Sequence, residues 1–339
     1  MKAFLNSVSY YLPEKQLSNE EISAKHPEWS AEKIAKKVGI QSRHIAGENE
    51  TASDMAFNAA EELFRRYDIH RDCIEYLILC TQSPDYKLPS TSCILQNRLA
   101  LRNTCGTFDY NLGCSGYVYG LGIAKGLIVS KQAKSVLLLT AETYTKYLSE
   151  NDKGNKTIFG DAATASLISD TSIEKGLNFE IGEFSYATDG SKYDSLIVKN
   201  GGAKYPYGDG VDLLDDNGNF VRNDDKLFMN GKAIFDFTAF EVPKLVKDNL
   251  SKNNTDISQI DLAIFHQANE YMLRTARQRC GIPHERFFFD ITNVGNTVSN
   301  SIPIAIKKAE DVGRLANVKS LLLTGFGVGL SMGSVVLTK

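Results

Sequence analysis

The sequence has no long apolar run and no cysteine pair of the kind that binds metals or exchanges disulfides. Six cysteines stand at positions 73, 80, 93, 105, 114 and 280, none of them in a Cys-x-x-Cys pair. Such spacing argues against a zinc site or a thioredoxin-like site and favours reduced thiols. No stretch approaches the ~20 apolar residues that a membrane-spanning helix needs. The first residues also lack the apolar core of a signal peptide, so we expect a cytoplasmic protein.

An excess of charge of one sign is also missing. The 339 residues include 38 Lys and Arg against 41 Asp and Glu, which leaves a net charge of −3. This balance gives no reason to expect nucleic acid or a membrane surface as a partner. With 42% hydrophobic and 23% charged residues, the composition is that of a globular protein. The length suits one large domain or two ordinary ones.

Hydrophobic periodicity predicts strands and helices that alternate along most of the chain, which indicates an α/β fold built in layers. A capping box at Ser18–Glu21 predicts the start of a short helix, and Gly39 predicts the end of a second one. Residues 187–228 break the alternation and hold six aspartates between positions 209 and 225. We predict an irregular acidic insertion there. Its Asp215, Asn217 and Asn219 fall short of a calcium loop, because the glycine and the closing glutamate are missing.

The second half of the chain repeats the layout of the first. Ile74–Gln82 matches Ile260–Ala268 at an offset of 186 residues, and Lys134–Thr140 matches Lys319–Thr324. Two copies of one αβ layout predict halves at 1–186 and 229–339, related by a pseudo-two-fold axis and separated by the insertion. A functional site is expected where the halves meet.

Cys114 is the first candidate functional residue. It stands where a predicted strand, Gly106–Tyr110, turns into a predicted amphipathic helix. The positive end of a helix dipole and nearby free N–H groups favour a thiolate, so we expect a lowered pKa and a nucleophile. A free cysteine is otherwise often a small buried hydrophobe, and this stretch alone leaves both readings open.

Two polar segments of the second half complete the pattern. His266–Asn269 follows a buried strand, and Asn293–Pro303 reads as a polar turn that leads into a helix. A histidine can activate a cysteine, and an imidazole with a carboxamide can polarise one carbonyl oxygen. We therefore predict a catalytic set of Cys114, His266 and Asn296.

The glycine-rich stretch Gly325–Gly329 invites a dinucleotide-binding interpretation. It follows a strand, but the next segment is predicted as another strand rather than a helix. Without a helix N-terminus a pyrophosphate has no binding site there, so this interpretation is rejected. The turn is instead expected to offer a backbone N–H beside Cys114.

The chain resembles the ketoacyl-acyl-carrier-protein synthases III of the thiolase-fold superfamily. The matching motifs run nearly from end to end: Gly39-Ile with Arg43-His-Ile-Ala, Asp109–Tyr117, Phe159-Gly-Asp161-Ala, Met229-Asn-Gly231, His266–Asn269, Gly295-Asn-Thr297 with Ser301-Ile-Pro303, and Gly325-Phe-Gly327. The resemblance implies five αβαβα layers and a homodimer without a metal or redox cofactor. Coenzyme A or acyl-carrier-protein thioesters are the implied substrates.

The resemblance also implies a mechanism. Cys114 takes an acyl group from a thioester primer, while backbone N–H groups of Cys114 and Val328 hold the oxyanion. Malonyl-carrier protein then loses carbon dioxide, and His266 and Asn296 stabilise the enolate that attacks the acyl-cysteine. Donors rather than a base suit this step, because negative charge develops on a thioester oxygen.

The binding surfaces depart from the family pattern. Lys153 replaces an arginine that often contacts coenzyme A, and Leu88 replaces a phenylalanine that often closes the primer pocket across the dimer. Asp236 and Tyr271 replace basic residues that often dock the carrier. The residues expected to contact substrate or carrier are Trp29, Lys37, Lys153, Leu88, Asn269, Arg274 and Arg277.

Two alternatives remain beside the condensing enzyme. The chain could transfer the acyl group from Cys114 to an amine or hydroxyl in a secondary-metabolite or glycan pathway. It could also be a non-catalytic partner subunit, against which the intact Cys, His and Asn argue. The primer and the carrier are not determined by the sequence.

Overall fold

A central nine-stranded sheet carries the architecture of the computed structural model, which describes residues 1–339. The strands are β1 (Phe4–Tyr11), β2 (Gln16–Ser18), β3 (Ser42–His44), β4 (Tyr76–Cys80), β5 (Gly106–Tyr110), β6 (Ser135–Glu142), β7 (Ala162–Ser169), β8 (Phe179–Thr188), β9 (Leu196–Ile197), β10 (Asp212–Leu214), β11 (Phe220–Asn223), β12 (Phe228–Met229), β13 (Leu262–Phe265), β14 (Ser320–Gly327) and β15 (Ser331–Thr338). The helices are α1 (Asn19–Lys25), α2 (Ala31–Val38), α3 (Ala52–Tyr67), α4 (Thr91–Arg98), α5 (Gly116–Val129), α6 (Lys153–Lys156), α7 (Gly231–Lys252), α8 (Glu270–Arg279) and α9 (Ser301–Asp311).

The strand order of the sheet shows the predicted duplication. The order is β13-β14-β15-β8-β1-β7-β6-β4-β5, which reads outward from the centre as β1-β7-β6-β4 on one side and β8-β15-β14-β13 on the other. In each half the first two pairings are antiparallel and the third is parallel. The halves join where Phe4 pairs with Glu180 and Leu5 with Phe179. The two pseudo-two-fold related halves are thus confirmed.

Three apolar cores separate the layers. Helices α5 and α9 bury residues such as Leu121 and Ile306 in a central core with strands of both halves. Helices α3 and α4 cover the outer side of the first half-sheet, with Leu63 and Leu95 buried there. Helices α7 and α8 cover the second half-sheet in the same way. The sequence of layers is therefore αβαβα, as the resemblance implied.

Most predicted elements are present with ends shifted by a few residues. The capping box at Ser18 forms as predicted, and Gly39 ends α2 in the left-handed conformation. Residues 187–228, predicted as an irregular insertion, contain a hairpin of β10 and β11 and the short pairing of β9 with β12. No helix has the length and apolar content to cross a membrane.

The topology brings the carboxyl ends of parallel strands from both halves to one place. Cys114 follows β5, His266 follows β13, and the turn before α9 carries Asn296. Open α/β sheets present ligand-binding residues at this end of their strands. The fold therefore places the three predicted catalytic residues where the two halves meet.

Candidate active site

One small cavity gathers the three residues that the sequence predicted to be catalytic. Cys114, His266 and Asn296 all line a cavity of about 130 Å³, and each is at most 5% exposed. Cys114 lies more than 150 residues from the other two in the chain, so only the packing of the two halves brings it beside them. The cavity therefore combines a thiol, an imidazole and a carboxamide in one small space.

Cys114 lies against the turn between β14 and β15. A Cβ atom on Gly327 would come within 2.8 Å of the Cys114 sulfur, so only glycine allows this close approach. Burial raises the pKa of Cys114 to about 12, and a hydrogen bond from the Val328 backbone partly offsets the rise. The expectation of a lowered pKa is therefore wrong: removal from water outweighs the helix dipole and the free N–H groups. The resting group is a thiol.

His266 contacts Ser301, which the sequence analysis did not single out for a role. The Ser301 hydroxyl lies 2.7 Å from Nδ1 and also accepts the Gln267 backbone N–H at 3.2 Å. When the Ser301 hydroxyl donates its proton to Nδ1, the proton of the neutral ring is on Nε2. Burial lowers the pKa of His266 to about 3, so the imidazole is neutral. A hydrogen bond of the ring with the Val298 backbone opposes part of this shift, and the neutral ring has one N–H to donate.

Asn296 is oriented by its own turn. Its Oδ1 accepts the Val298 N–H at 2.9 Å, which leaves the NH₂ group as the end that donates. The backbone of Asn296 is also held on both sides, because its N–H donates to Ile158 and its carbonyl accepts from Gly160. The site thus has two oriented donors, one from His266 and one from Asn296.

Apolar side chains complete the cavity. Those that line it include Phe159, Leu196, Ile234, Met272 and Phe326. They come from separate elements with no common motif, and nothing in the sequence identified them as a group. The lining favours an apolar group next to Cys114.

A larger cavity of about 410 Å³ leads to the small one, with Ile158, Met229 and Gly231 in both walls. Trp29, Lys37 and Lys153 line it, so three of the predicted contact residues lie together. The Lys37 ammonium lies 4.5 Å from the centre of the Trp29 ring, and Lys153 pairs with Glu28 at 2.6 Å. The β10–β11 hairpin adds Phe220 to this wall. The larger cavity is thus the mouth of the site. Its wall is aromatic and basic, and one of its lysines, Lys153, already forms an ion pair with Glu28.

The other four predicted contact residues lie in three places: in the small cavity, outside both cavities, and on α8. Asn269 lines the small cavity and caps α8 by accepting the Met272 N–H at 2.9 Å. Leu88 is 83% exposed and lines neither cavity. Arg274 is exposed and pairs with Glu270, whereas Arg277 donates to the Ile282 carbonyl at 2.7 Å. Arg274 thus forms an ion pair on the surface, whereas Arg277 binds a backbone carbonyl, although the two are only three residues apart on one helix.

A buried carboxyl group lies behind Cys114. Glu142, at the end of β6, accepts the Gln82 N–H at 3.1–3.2 Å and lies within hydrogen-bonding distance of the hydroxyls of Ser83 at 3.2 Å and Ser299 at 3.1 Å. Burial outweighs these bonds and raises the pKa of Glu142 to about 8. The group therefore holds a proton at neutral pH and joins the loop after β4 to the turn before α9.

We expect Glu142→Gln to weaken the dependence of stability on pH. The pKa of Glu142 is raised in the folded state, so its contribution is complete below about pH 4.5 and is lost as the pH rises towards 8. In this window the free energy of unfolding of the wild type falls by up to about 1.4 kcal/mol per pH unit through this group. Urea unfolding between pH 5 and 8 measures the slope.

The control for this prediction is Glu150→Gln. Glu150 is exposed, and its hydrogen bond with Lys156 lowers its pKa, so the variant should keep the wild-type slope between pH 5 and 8. Equal slopes in Glu142→Gln and wild type would show that Glu142 is ionised in the folded protein.

Comparison with known families gives two matches. Residues 108–190 match the family described as 3-oxoacyl-[acyl-carrier-protein (ACP)] synthase III, and residues 250–339 match its C-terminal family. The beta-ketoacyl-[acyl-carrier-protein] synthase III of Campylobacter curvus is 35% identical over 338 residues, covering 99% of this chain and 97% of the relative. That of Clostridium perfringens is 33% identical over 327 residues, covering 96% of each chain.

Solved structures agree with the sequence relatives. A crystal structure of a 3-oxoacyl-(acyl-carrier-protein) synthase III is 40% identical, with a TM-score of 0.95 over the whole of both chains. The corresponding enzyme of Pseudomonas aeruginosa is 29% identical, with a TM-score of 0.85 over 100% of this chain and 98% of its own. The chain therefore belongs to the beta-ketoacyl-[acyl-carrier-protein] synthase III family.

Proposed function

We propose that this condensing enzyme, an acyltransferase, joins a short acyl primer to malonyl-acyl-carrier protein through Cys114, His266 and Asn296. One observation carries the assignment of residues: the thiol and the two oriented donors line the same cavity. The product is a 3-oxoacyl thioester of the carrier, and carbon dioxide is released. The net reaction is redox-neutral, so it needs no redox cofactor.

Acyl transfer to Cys114 is the proposed first half-reaction. The sulfur attacks the thioester carbonyl, and the tetrahedral oxyanion lies beside the backbone N–H groups of Cys114 and Val328. The bond to the donor thiol then breaks, and the proton of Cys114 ends on that departing thiol. The hydrogen bond from the Val328 backbone supports this assignment, because it already favours negative charge on the sulfur.

Decarboxylative condensation is the proposed second half-reaction. Malonyl-carrier protein loses carbon dioxide, and the electron pair moves to an enolate whose oxygen accepts from His266 Nε2 and the Asn296 NH₂ group. The enolate carbon attacks the acyl-cysteine, and the Cys114 thiolate leaves and recovers a proton from solvent. The neutral state of His266 supports its role as a donor rather than a base.

The size of the small cavity supports a short primer. Pockets for drug-sized ligands measure roughly 300–1,000 Å³, whereas this cavity is about 130 Å³. Its walls are mostly apolar, so we propose a short unbranched acyl group. The larger cavity, with Trp29 and Lys37 in its wall, suits the arm and phosphate of the thioester donor.

A homodimer in the cytoplasm is part of the proposal. Strand β5 is an edge of the nine-stranded sheet with every residue half-buried, and the nearby loop exposes Tyr86 and Leu88. A second copy that pairs with this edge would cover those side chains. The six free cysteines, a nucleophile among them, suit a reducing compartment.

Cys114 is expected to be the only thiol that acquires acyl mass from a thioester donor, because only this cysteine lies beside a backbone donor in the cavity. Intact-protein mass spectrometry with a panel of acyl thioesters, followed by peptide mapping, measures this. Short chains should be accepted and long chains rejected. The control is Cys80→Ala, which removes a buried thiol outside the cavity and should still be acylated. Acyl mass on another cysteine, with Cys114 unmodified, would falsify the assignment.

Asn296→Ala is expected to separate the two half-reactions. Loss of one oriented donor costs roughly 100-fold or more in rate, and the lost bond serves only the enolate. The variant should acylate at Cys114 like the wild type but release carbon dioxide from malonyl-carrier protein about 100-fold more slowly. Normal decarboxylation by this variant would refute the role of Asn296. Acylation without any carbon dioxide release by the wild type would instead indicate transfer to an amine or hydroxyl.

Carrier docking is expected to depend on Arg274 and much less on Arg277. Arg274 is exposed, whereas Arg277 is tied to the Ile282 carbonyl, so the two substitutions separate docking from folding. Arg274→Glu should raise the Michaelis constant for an acyl-carrier substrate severalfold and leave a small synthetic thioester unaffected. Arg277→Gln should lower the free energy of unfolding by about 1 kcal/mol. An unchanged Michaelis constant in Arg274→Glu would place the docking site elsewhere.

A further inference from the structure

A fully buried arginine lies behind the active site and takes no part in the chemistry described so far. Arg43, in β3, is 0% exposed, and its guanidinium donates only to neutral oxygens. These are the Leu17 carbonyl at 3.0 Å, Asn19 Oδ1 at 2.9 Å and the Thr157 carbonyl at 2.8 Å. A buried cation without an anion partner is costly, so the position needs an explanation.

The cost of this burial is visible in two features of the side chain. Burial lowers the pKa of Arg43 to about 10, although the charge of Glu20 opposes the shift. The Nε atom is buried without a hydrogen-bond partner. A planar guanidinium carries five donors in a fixed fork, so it can reach several carbonyl oxygens that a shorter or neutral side chain would leave unpaired.

The segment that Arg43 holds is also the segment that holds Asn296. Thr157 is followed by Ile158, whose carbonyl accepts the Asn296 N–H at 2.9 Å. Two residues further, the Gly160 N–H donates to the Asn296 carbonyl at 3.0 Å. Phe159, which lies between them, pairs with Asn296 as an isolated parallel bridge. The backbone of the enolate donor is therefore fixed by Thr157–Gly160.

Two glycines pack directly on the stem of Arg43. A Cβ atom on Gly160 or on Gly295 would come within 3.1 Å of the Arg43 Cβ, and Gly295 has a φ of 72°. A Cβ on Gly295 would also approach the Ile158 carbonyl to 2.8 Å. The arginine, the held segment and the turn before Asn296 are therefore in close contact, and a shift in one must move the others.

We propose that Arg43 is a positioning residue for the decarboxylation half-reaction, because it fixes Thr157–Gly160 and through this segment the donor group of Asn296. The inference rests on the proposed role of Asn296 in holding the enolate oxygen. It does not extend to Cys114, which reaches the cavity from β5 and α5. Arg43 should therefore affect one half-reaction and spare the other.

Arg43→Lys tests the proposal, because it keeps the charge but loses the fork that spans three oxygens. Acylation of Cys114 by a small synthetic thioester should stay within twofold of wild type. Carbon dioxide release from malonyl-carrier protein by the pre-acylated enzyme should fall ~10- to 100-fold, the cost of displacing a positioned group by up to about 1 Å. In an Asn296→Ala background, Arg43→Lys should add no further loss of decarboxylation.

Arg71→Lys is the matched control. Arg71 also donates to a backbone carbonyl, that of Leu99 at 2.9 Å, but it pairs with Glu61 at 2.8 Å and lines neither cavity. It should lower thermal stability without separating the half-reactions. If Arg43→Lys does not fold, Asn19→Ala can replace it, because it removes one of the three contacts of Arg43. It should slow decarboxylation relative to acylation in the same way, but to a smaller extent.

Three results would overturn the proposal. Equal losses of acylation and decarboxylation in Arg43→Lys would mean that the arginine supports the fold alone, and no loss of either would mean that it supports neither. A defect in Arg43→Lys that adds fully to that of Asn296→Ala would also contradict it. Normal decarboxylation by the Asn296→Ala single variant is a separate outcome, because it would remove the proposed role of Asn296 itself.

Discussion

Helices α5 and α9 pack between the two halves of the sheet, and the position of every group in the site follows from this packing. Each helix buries apolar residues of its own half against strands of the other half. The turn into α5 then carries Cys114, and the turn into α9 carries Asn296. Because close-packed interiors resist displacement, the thiol and the carboxamide keep a fixed relation although they come from opposite halves of the chain.

The same burial decides the charges in the site. Removal from water raises the pKa of Cys114 and of Glu142 and lowers that of His266. All three groups are therefore neutral at rest, so none of them carries a charge before the substrate arrives. In the proposed mechanism, negative charge develops first beside the backbone N–H groups of Cys114 and Val328 and later beside His266 and Asn296. Donors that are already oriented stabilise such charge without reorganisation, and low polarity strengthens each bond.

In the proposed function, the choice of thioester donor and carrier depends on residues at the surface. Several charged side chains there already form ion pairs. The mouth of the larger cavity has Lys37 on Trp29, but its second lysine is paired with Glu28. On α8, Arg274 is paired with Glu270, and Tyr271 stacks on Phe235 with ring centres 5.2 Å apart. Surface pairs of this kind contribute little to stability, so an incoming phosphate or carboxylate can replace them. The chemistry is thus fixed by the interior, while partner choice depends on exchangeable contacts.

The sequence by itself determined the α/β fold, its duplication and the three catalytic candidates. These features leave local signals: periodic apolar residues, repeated segments such as Ile74–Gln82 and Ile260–Ala268, and polar residues at predicted strand ends. The family resemblance added the reaction. These features can be recognised in the sequence because each depends on residues that are close together in the chain.

Only the tertiary structure determined which groups of the site are ionised and which residues hold them in place. The sequence suggested a lowered pKa for Cys114 from its helix, but the surrounding layers remove it from water and reverse the shift. The contact of His266 with Ser301 and the bonds that link Arg43 to Asn296 join residues from 35 to more than 100 positions apart. Desolvation and long-range hydrogen bonds depend on distances that no local pattern encodes, so only the packed chain determines them.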